Sequence, residues 1–78
     1  MTNKQKLNEA LCEVFRVKEE QLTGLEFGSR NWDSIGHIRM VTKLEEQFGI
    51  SVSSDDLVKM GTYSDVIKVL EESYGVVF

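Results

Sequence analysis

The 78-residue sequence has no proline and only one cysteine, one histidine and one tryptophan, and each scarcity closes off a class of function. A lone Cys12 cannot build a disulfide framework. Neither Cys12 nor His37 belongs to a cluster at metal-ligand spacing, so a zinc or iron centre lacks ligands. The chain has no G-x-x-x-x-G-K-[ST] or G-x-G-x-x-G stretch to cradle phosphates and no D-x-D-x-D-G loop for calcium. No apolar run approaches the ~18 residues a bilayer-spanning helix needs, which argues against membrane insertion. The first thirty residues lack the basic head and apolar run of an export signal, so a cytoplasmic location is expected. Positive charge is in deficit as well: nine Lys and Arg face thirteen Asp and Glu, a net charge of −4. That field repels nucleic acid and anionic membranes and favours basic partner surfaces.

A chain this short builds one core and buries only about 60% of its unfolded surface, leaving little room for a deep catalytic cleft. Residues 1–78 therefore read as a single domain. Without proline, and with Glu, Lys, Leu and Gln recurring, helix is the expectation for most of the length. Leu7, Ala10, Leu11, Val14 and Phe15 trace one stripe of a first helix, with Thr2 or Asn3 as its cap and Cys12 as a small filler at the stripe's edge. From Val17 to Asp33 no period is sustained, and Leu22, Leu25, Phe27 and Trp32 are the side chains expected to tie this long loop down, with one helical turn near Lys18 to Leu22.

SIGHIRMVTKLEEQFG carries two apolar faces rather than one. His37, Met40, Val41, Leu44 and Phe48 share a core-facing side, whereas Ile35, Ile38 and Thr42 gather on a neighbouring side that starts beside Ser34. Arg39, Lys43 and Glu46 are expected on the solvated side, and Gly49 ends the helix. Ser53 with Asp56, and Thr62 with Asp65, resemble capping boxes that open a short third and a longer last helix. The last helix buries Tyr63, Val66, Ile67, Leu70 and Tyr74, stops at Gly75, and leaves an apolar tail of Val76, Val77 and Phe78. The fold expected is all-α: a small antiparallel four-helix bundle, three helices longer and one short, with a long loop between the first two.

Ser34, in WDSIGH, has two readings. Serine is common at helix starts because its oxygen accepts a bond from an unpaired N–H. Asp33, however, already supplies a cap and a negative charge where the helix dipole favours one, which leaves the Ser34 hydroxyl free to face outward. A phosphate ester there would feel the same favourable dipole. A Ser34–His37 dyad lacks an evident oxyanion hole or substrate pocket, so the chain is not expected to be an enzyme. His37 reads as a hydrogen-bonded core histidine, with contact to a bound group as the lesser reading. Trp32 reads as a loop anchor, with a contact to cargo as its alternative.

The stretch WDSIGHIRMVTKLEEQFGI resembles the D-S-L region and recognition helix of acyl carrier proteins, and the order of helices matches that family over nearly the whole chain. The resemblance implies that a phosphopantetheinyl transferase, using coenzyme A, attaches 4'-phosphopantetheine to Ser34, with Asp33 as the flanking motif residue. The arm's thiol then carries acyl groups as thioesters. It also implies a monomeric carrier that serves acyl-loading and acyl-processing enzymes in fatty acid, polyketide or related acyl biosynthesis. Met40, Val41, Leu44 and Phe48 would line a core able to take an acyl chain, and Ile35, Ile38, Arg39, Glu45 and Glu46 would meet partners. Where fatty-acid carriers commonly have acidic residues just after D-S-L and three positions later, this chain has Gly36 and Arg39. That departure, with Trp32 and His37, points to a dedicated pathway rather than bulk fatty acid synthesis. An aminoacyl or peptidyl carrier is a near neighbour of this reading. From a different class, a cofactor-free helical adaptor docking a partner helix on Ile35 and Ile38 is the alternative.

Overall fold

In the computed structural model, which describes residues 2–78, every α-helix opens on a side chain that satisfies an otherwise unpaired backbone donor. Thr2, not Asn3, caps α1 (Asn3–Phe15): its hydroxyl accepts from the Gln5 N–H at 3.1 Å while the Gln5 side chain accepts from the Thr2 N–H at 2.8 Å. Asn3 instead donates to the Val77 carbonyl at 2.9 Å, and Phe78 lies edge-on to Phe48, so Val76 and Phe78 of the tail pack while the Val77 side chain stays exposed. Asp33 caps α2 (Ser34–Phe48), which ends at Gly49 in the left-handed region where glycine carries no Cβ penalty. Ser53 opens the single-turn α3 (Ser54–Leu57), and Thr62 opens α4 (Tyr63–Tyr74).

α1 and α2 run antiparallel. Phe15 approaches Gly36 at one end, and Asn3 and Lys6 share a surface groove with Gln47 and Phe48 at the other. The interior is filled by Leu7, Leu11 and Phe15 of α1, by Met40 and Leu44 of α2, and by Val66 and Leu70 of α4. Each such side chain contributes about 1.5–3 kcal/mol through burial. On α4 the buried stripe is centred nearer Val66 than the sequence indicates: Val69 is buried, whereas Ile67 and Tyr74 are half-buried. The core flanks α4 more widely than a narrow seam requires. The described residues form helices and turns with no strand, only an isolated bridge between Glu26 and Thr62. No helix among them is long and apolar enough to cross a membrane.

The long connection is closed on itself rather than loose. A 3-10 turn covers Glu19–Gly24, slightly beyond the expected turn, and buries Leu22. The Phe27 N–H bonds the Gly61 carbonyl at 2.8 Å, and Gly28, at φ 94°, bonds back to the Trp32 carbonyl at 2.9 Å. Asn31 donates to the Phe15 carbonyl at 3.3 Å, one of the acceptors left open where α1 ends. Residues 26–32 thus join the end of α1 to the α3–α4 link and deliver Asp33 to the head of α2.

Candidate functional site

At that head, capping and presentation fall to different residues. The Asp33 carboxylate accepts the Gly36 N–H at 2.7 Å, so the cap does not use the Ser34 hydroxyl. Ser34 is the first helical residue and is exposed, at the positive end of a fifteen-residue helix dipole. Ile35 and Ile38, 67% and 55% exposed, flank it as an uncovered apolar strip, with Thr42 also exposed below them. Space beside Gly36 is tight on one side. A Cβ there would stand 3.1 Å from the Asp33 carboxylate, a tight approach, and 3.4 Å from the Phe15 ring, an ordinary contact, so a larger residue presses on the cap.

Behind the serine lies an aromatic stack. Trp32 is buried against Phe15, with ring centroids 4.7 Å apart, and its indole N–H donates to His37 Nδ1 at 2.9 Å. His37 Nδ1 is therefore an acceptor, and the ring's proton sits on Nε2, which donates to the Leu57 carbonyl at 2.7 Å. Both ring nitrogens are satisfied inside the protein, so His37 ties α2 to the loop and to the end of α3. The core-histidine and loop-anchor readings describe these two residues. Phe27 meets His37 edge-on at 5.1 Å. With Leu57, Val58 and Gly61 these two rings line an apolar recess of about 180 Å³.

On the opposite flank of α2, toward α1, runs an open groove of about 460 Å³. Val14, Asp33, Ile35 and Gly36 line it together with Arg16, Arg30 and Arg39.

The structure brings Asp33, Ser34, Ile35, Ile38 and Arg39 to one end of α2 and leaves Glu46 exposed near the other. Glu45 is engaged internally: half-buried, it accepts the Val52 N–H at 2.8 Å and pins the chain after Gly49. Lys43 is not fully solvated, but leans on α1 to meet Glu13 at 3.4 Å. Met40 and Leu44 are fully buried in the core, and the apolar recess is lined by other residues. Sequence reasoning missed Phe27, Leu57 and Val58, whose proximity depends on the Phe27–Gly61 backbone bond, and it missed Arg16 and Arg30. For the arginines a signal existed, since all three in the chain fall between positions 16 and 39, around WDS. Cys12 offers no second nucleophile: burial, with Glu19 and Glu20 nearby, pushes its thiol above the ordinary value and disfavours the reactive thiolate.

A family model described as "phosphopantetheine attachment site" matches residues 5–70, which span all of this site. No solved structure gives a significant match.

Proposed function

The chain belongs to the phosphopantetheine attachment-site family, whose members hold covalent 4'-phosphopantetheine, and from that premise we propose that Ser34 bears the arm and that the protein is an acyl carrier. The observation that supports this reading is the division of labour at the head of α2: Asp33 takes the cap bond, and the exposed Ser34 hydroxyl is left for chemistry. In loading, Ser34 Oγ attacks the phosphorus of coenzyme A that bears the pantetheine. A P–O bond forms to serine, the bond to the other phosphate breaks, and 3',5'-ADP leaves. The serine proton passes to a base of the phosphopantetheinyl transferase. When bound, the group supplies a flexible arm whose terminal thiol holds an acyl chain as a thioester.

The chain's own residues orient and shelter this cargo. Ile35 and Ile38 give visiting enzymes an apolar hold beside the arm, with Arg39 and Glu46 at the edges of that face. The recess of Phe27, His37, Leu57, Val58 and Gly61 receives the first carbons of the acyl chain. Its small volume favours a short chain lying near the surface over a long one threaded between Met40 and Leu44. Gly36 and Arg39, in place of acidic residues, favour a dedicated pathway. The protein works as a cytoplasmic monomer that meets its transferase and its acyl-loading and acyl-processing enzymes in turn.

Intact mass tests the assignment. With coenzyme A and a promiscuous transferase the chain gains one phosphopantetheine, and Ser34→Ala gains none. A chain left unmodified under those conditions would sink the reading. Loading of the holo protein by an amino-acid-adenylating enzyme, in place of an acyl-transferring one, would move it to the aminoacyl carriers.

A further inference from the structure

The three arginines of this chain are not scattered. Arg16 comes from the end of α1, Arg30 from the loop and Arg39 from the second turn of α2, yet all three line the one groove whose wall also contains Asp33, Ile35 and Gly36. Ser34 does not line it but lies in the chain between Asp33 and Ile35, two of those wall residues. Of the six lysines, Lys43 pairs with Glu13 and Lys59 with Asp56, and the other four have no carboxylate partner among the described residues; what sets the arginines apart is that they share one groove. Among the described residues, no carboxylate lies within ion-pairing distance of the three arginines, and all three are exposed. Arg16 is also held at φ 57°, the only left-handed residue other than glycine among those described. A planar guanidinium gives paired donors that match the oxygens of a phosphate, which the point charge of lysine does not.

We propose that Arg16, Arg30 and Arg39 form a clamp for the phosphodiester of the arm, a function that rests on the assignment of Ser34 as its attachment point. Any group esterified to Ser34 is tethered one residue from two wall residues of the groove, so the phosphate meets the arginines at the high effective concentration of an intramolecular contact. Arg39 lies five positions after Ser34, about 140° around the helix, and helical side chains lean toward the N-terminus, which carries its guanidinium along the groove toward the head of α2. Asp33 is the one carboxylate on the groove wall, and the Gly36 N–H already engages it. In a chain of net charge −4, the clamp offsets the repulsion that a further anion would meet. It fixes the root of the arm on the α1 side of α2 and leaves the rest free to swing.

Phosphorus NMR of the holo protein tests the clamp, after intact mass has shown that the arm is present. The resonance of the wild-type phosphodiester is expected to differ from that of an Arg16→Gln, Arg30→Gln, Arg39→Gln triple variant. Added sodium chloride should move the wild-type signal toward the variant's, because exposed ion pairs are screened. The arginine Nε–H signals should also shift between apo and holo protein, and unchanged circular dichroism would show that the variant is folded. A phosphorus resonance that is identical in both proteins and indifferent to salt overturns the clamp while leaving the attachment intact. Those arginines would then belong to an acidic partner surface. Absence of the mass gain is a different failure, which removes the attachment and the clamp with it.

Discussion

Arg16 occupies a conformation that costs an L-residue roughly 1–2 kcal/mol and glycine almost nothing. Arg16→Gly is therefore expected to raise unfolding stability by about 0.5–1 kcal/mol, after allowance for the extra freedom glycine has in the unfolded chain. Urea denaturation measures this, and a lower midpoint would mean that the arginine side chain holds the end of α1 in a way its exposure does not show. The Trp32–His37 bond is a second residue-scale device. Trp32→Phe keeps a ring against Phe15 but strands the buried Nδ1 of His37, an expected loss of about 1–3 kcal/mol in the same experiment. Gly36 is a third. The sequence presents it as a missing acid, and the 3.1 Å approach adds that any side chain there must displace the Asp33 carboxylate slightly. In Gly36→Glu the crowding of Asp33 is opposed by better helix propensity and by an acid at the positive end of the helix, so stability is expected to stay within about 1 kcal/mol of wild type, and a larger loss would show that the Asp33 cap cannot yield.

At the scale of elements, α3 is too short to persist alone, and an isolated turn gains little from its own hydrogen bonds. Tyr74, reaching from the end of α4, holds it: its hydroxyl accepts the Ser53 N–H at 2.9 Å and donates to Asp56 at 2.7 Å. That Tyr74 bond, with help from Ser53, Lys59 and Ser73, outweighs desolvation and lowers the Asp56 pKa below its ordinary value. The carboxylate form is the one the fold favours. Its contribution is complete above the ordinary Asp range and is lost as pH falls through the lowered pKa. Acidification should loosen α3 before the rest of the bundle, seen as faster amide exchange at Leu57 and Val58. Tyr74→Phe should bring the Asp56 titration, followed by carboxyl NMR, back up toward the ordinary range; a titration that stays where it is assigns the shift to the other partners. The sequence shows Ser53 and Asp56 as a capping box and Tyr74 as a core-face residue. It does not show that the Ser53 N–H bonds Tyr74 across 21 positions. Glu45 is legible only as a surface acid for the same reason, because the chain reversal after Gly49 brings Val52 beneath it.

Over the whole molecule, what was legible divides by the range of the interactions. The helices and most of the core were readable because caps and 3.6-residue stripes are local, and Thr62, Asp33 and Leu44 announce themselves within a few positions. The offset of Ile35 and Ile38 from the buried face was readable on the same grounds. The recess and the arginine groove were not, since both are assembled from segments that meet only after residues 26–32 close against Gly61 and Phe15. Val58, 76% exposed and unremarkable in sequence, becomes part of a recess only through that closure. Val58→Asp is expected to leave loading of the arm unchanged while weakening protection of a short acyl thioester from hydrolysis, measured by thiol release over time. Equal hydrolysis rates would show that the cargo lies elsewhere.

One helix thus carries two different flanks, an apolar recess toward α3 and a cationic groove toward α1, with the core behind them. Substitutions on the two flanks share no lining residue, so their effects should add. For a lineage that must change what it ferries without losing the enzyme that arms it, such a division is a source of evolvability. On the proposed reading, cargo preference can drift at Phe27, Leu57 and Val58 while the handling of the arm is inherited unaltered.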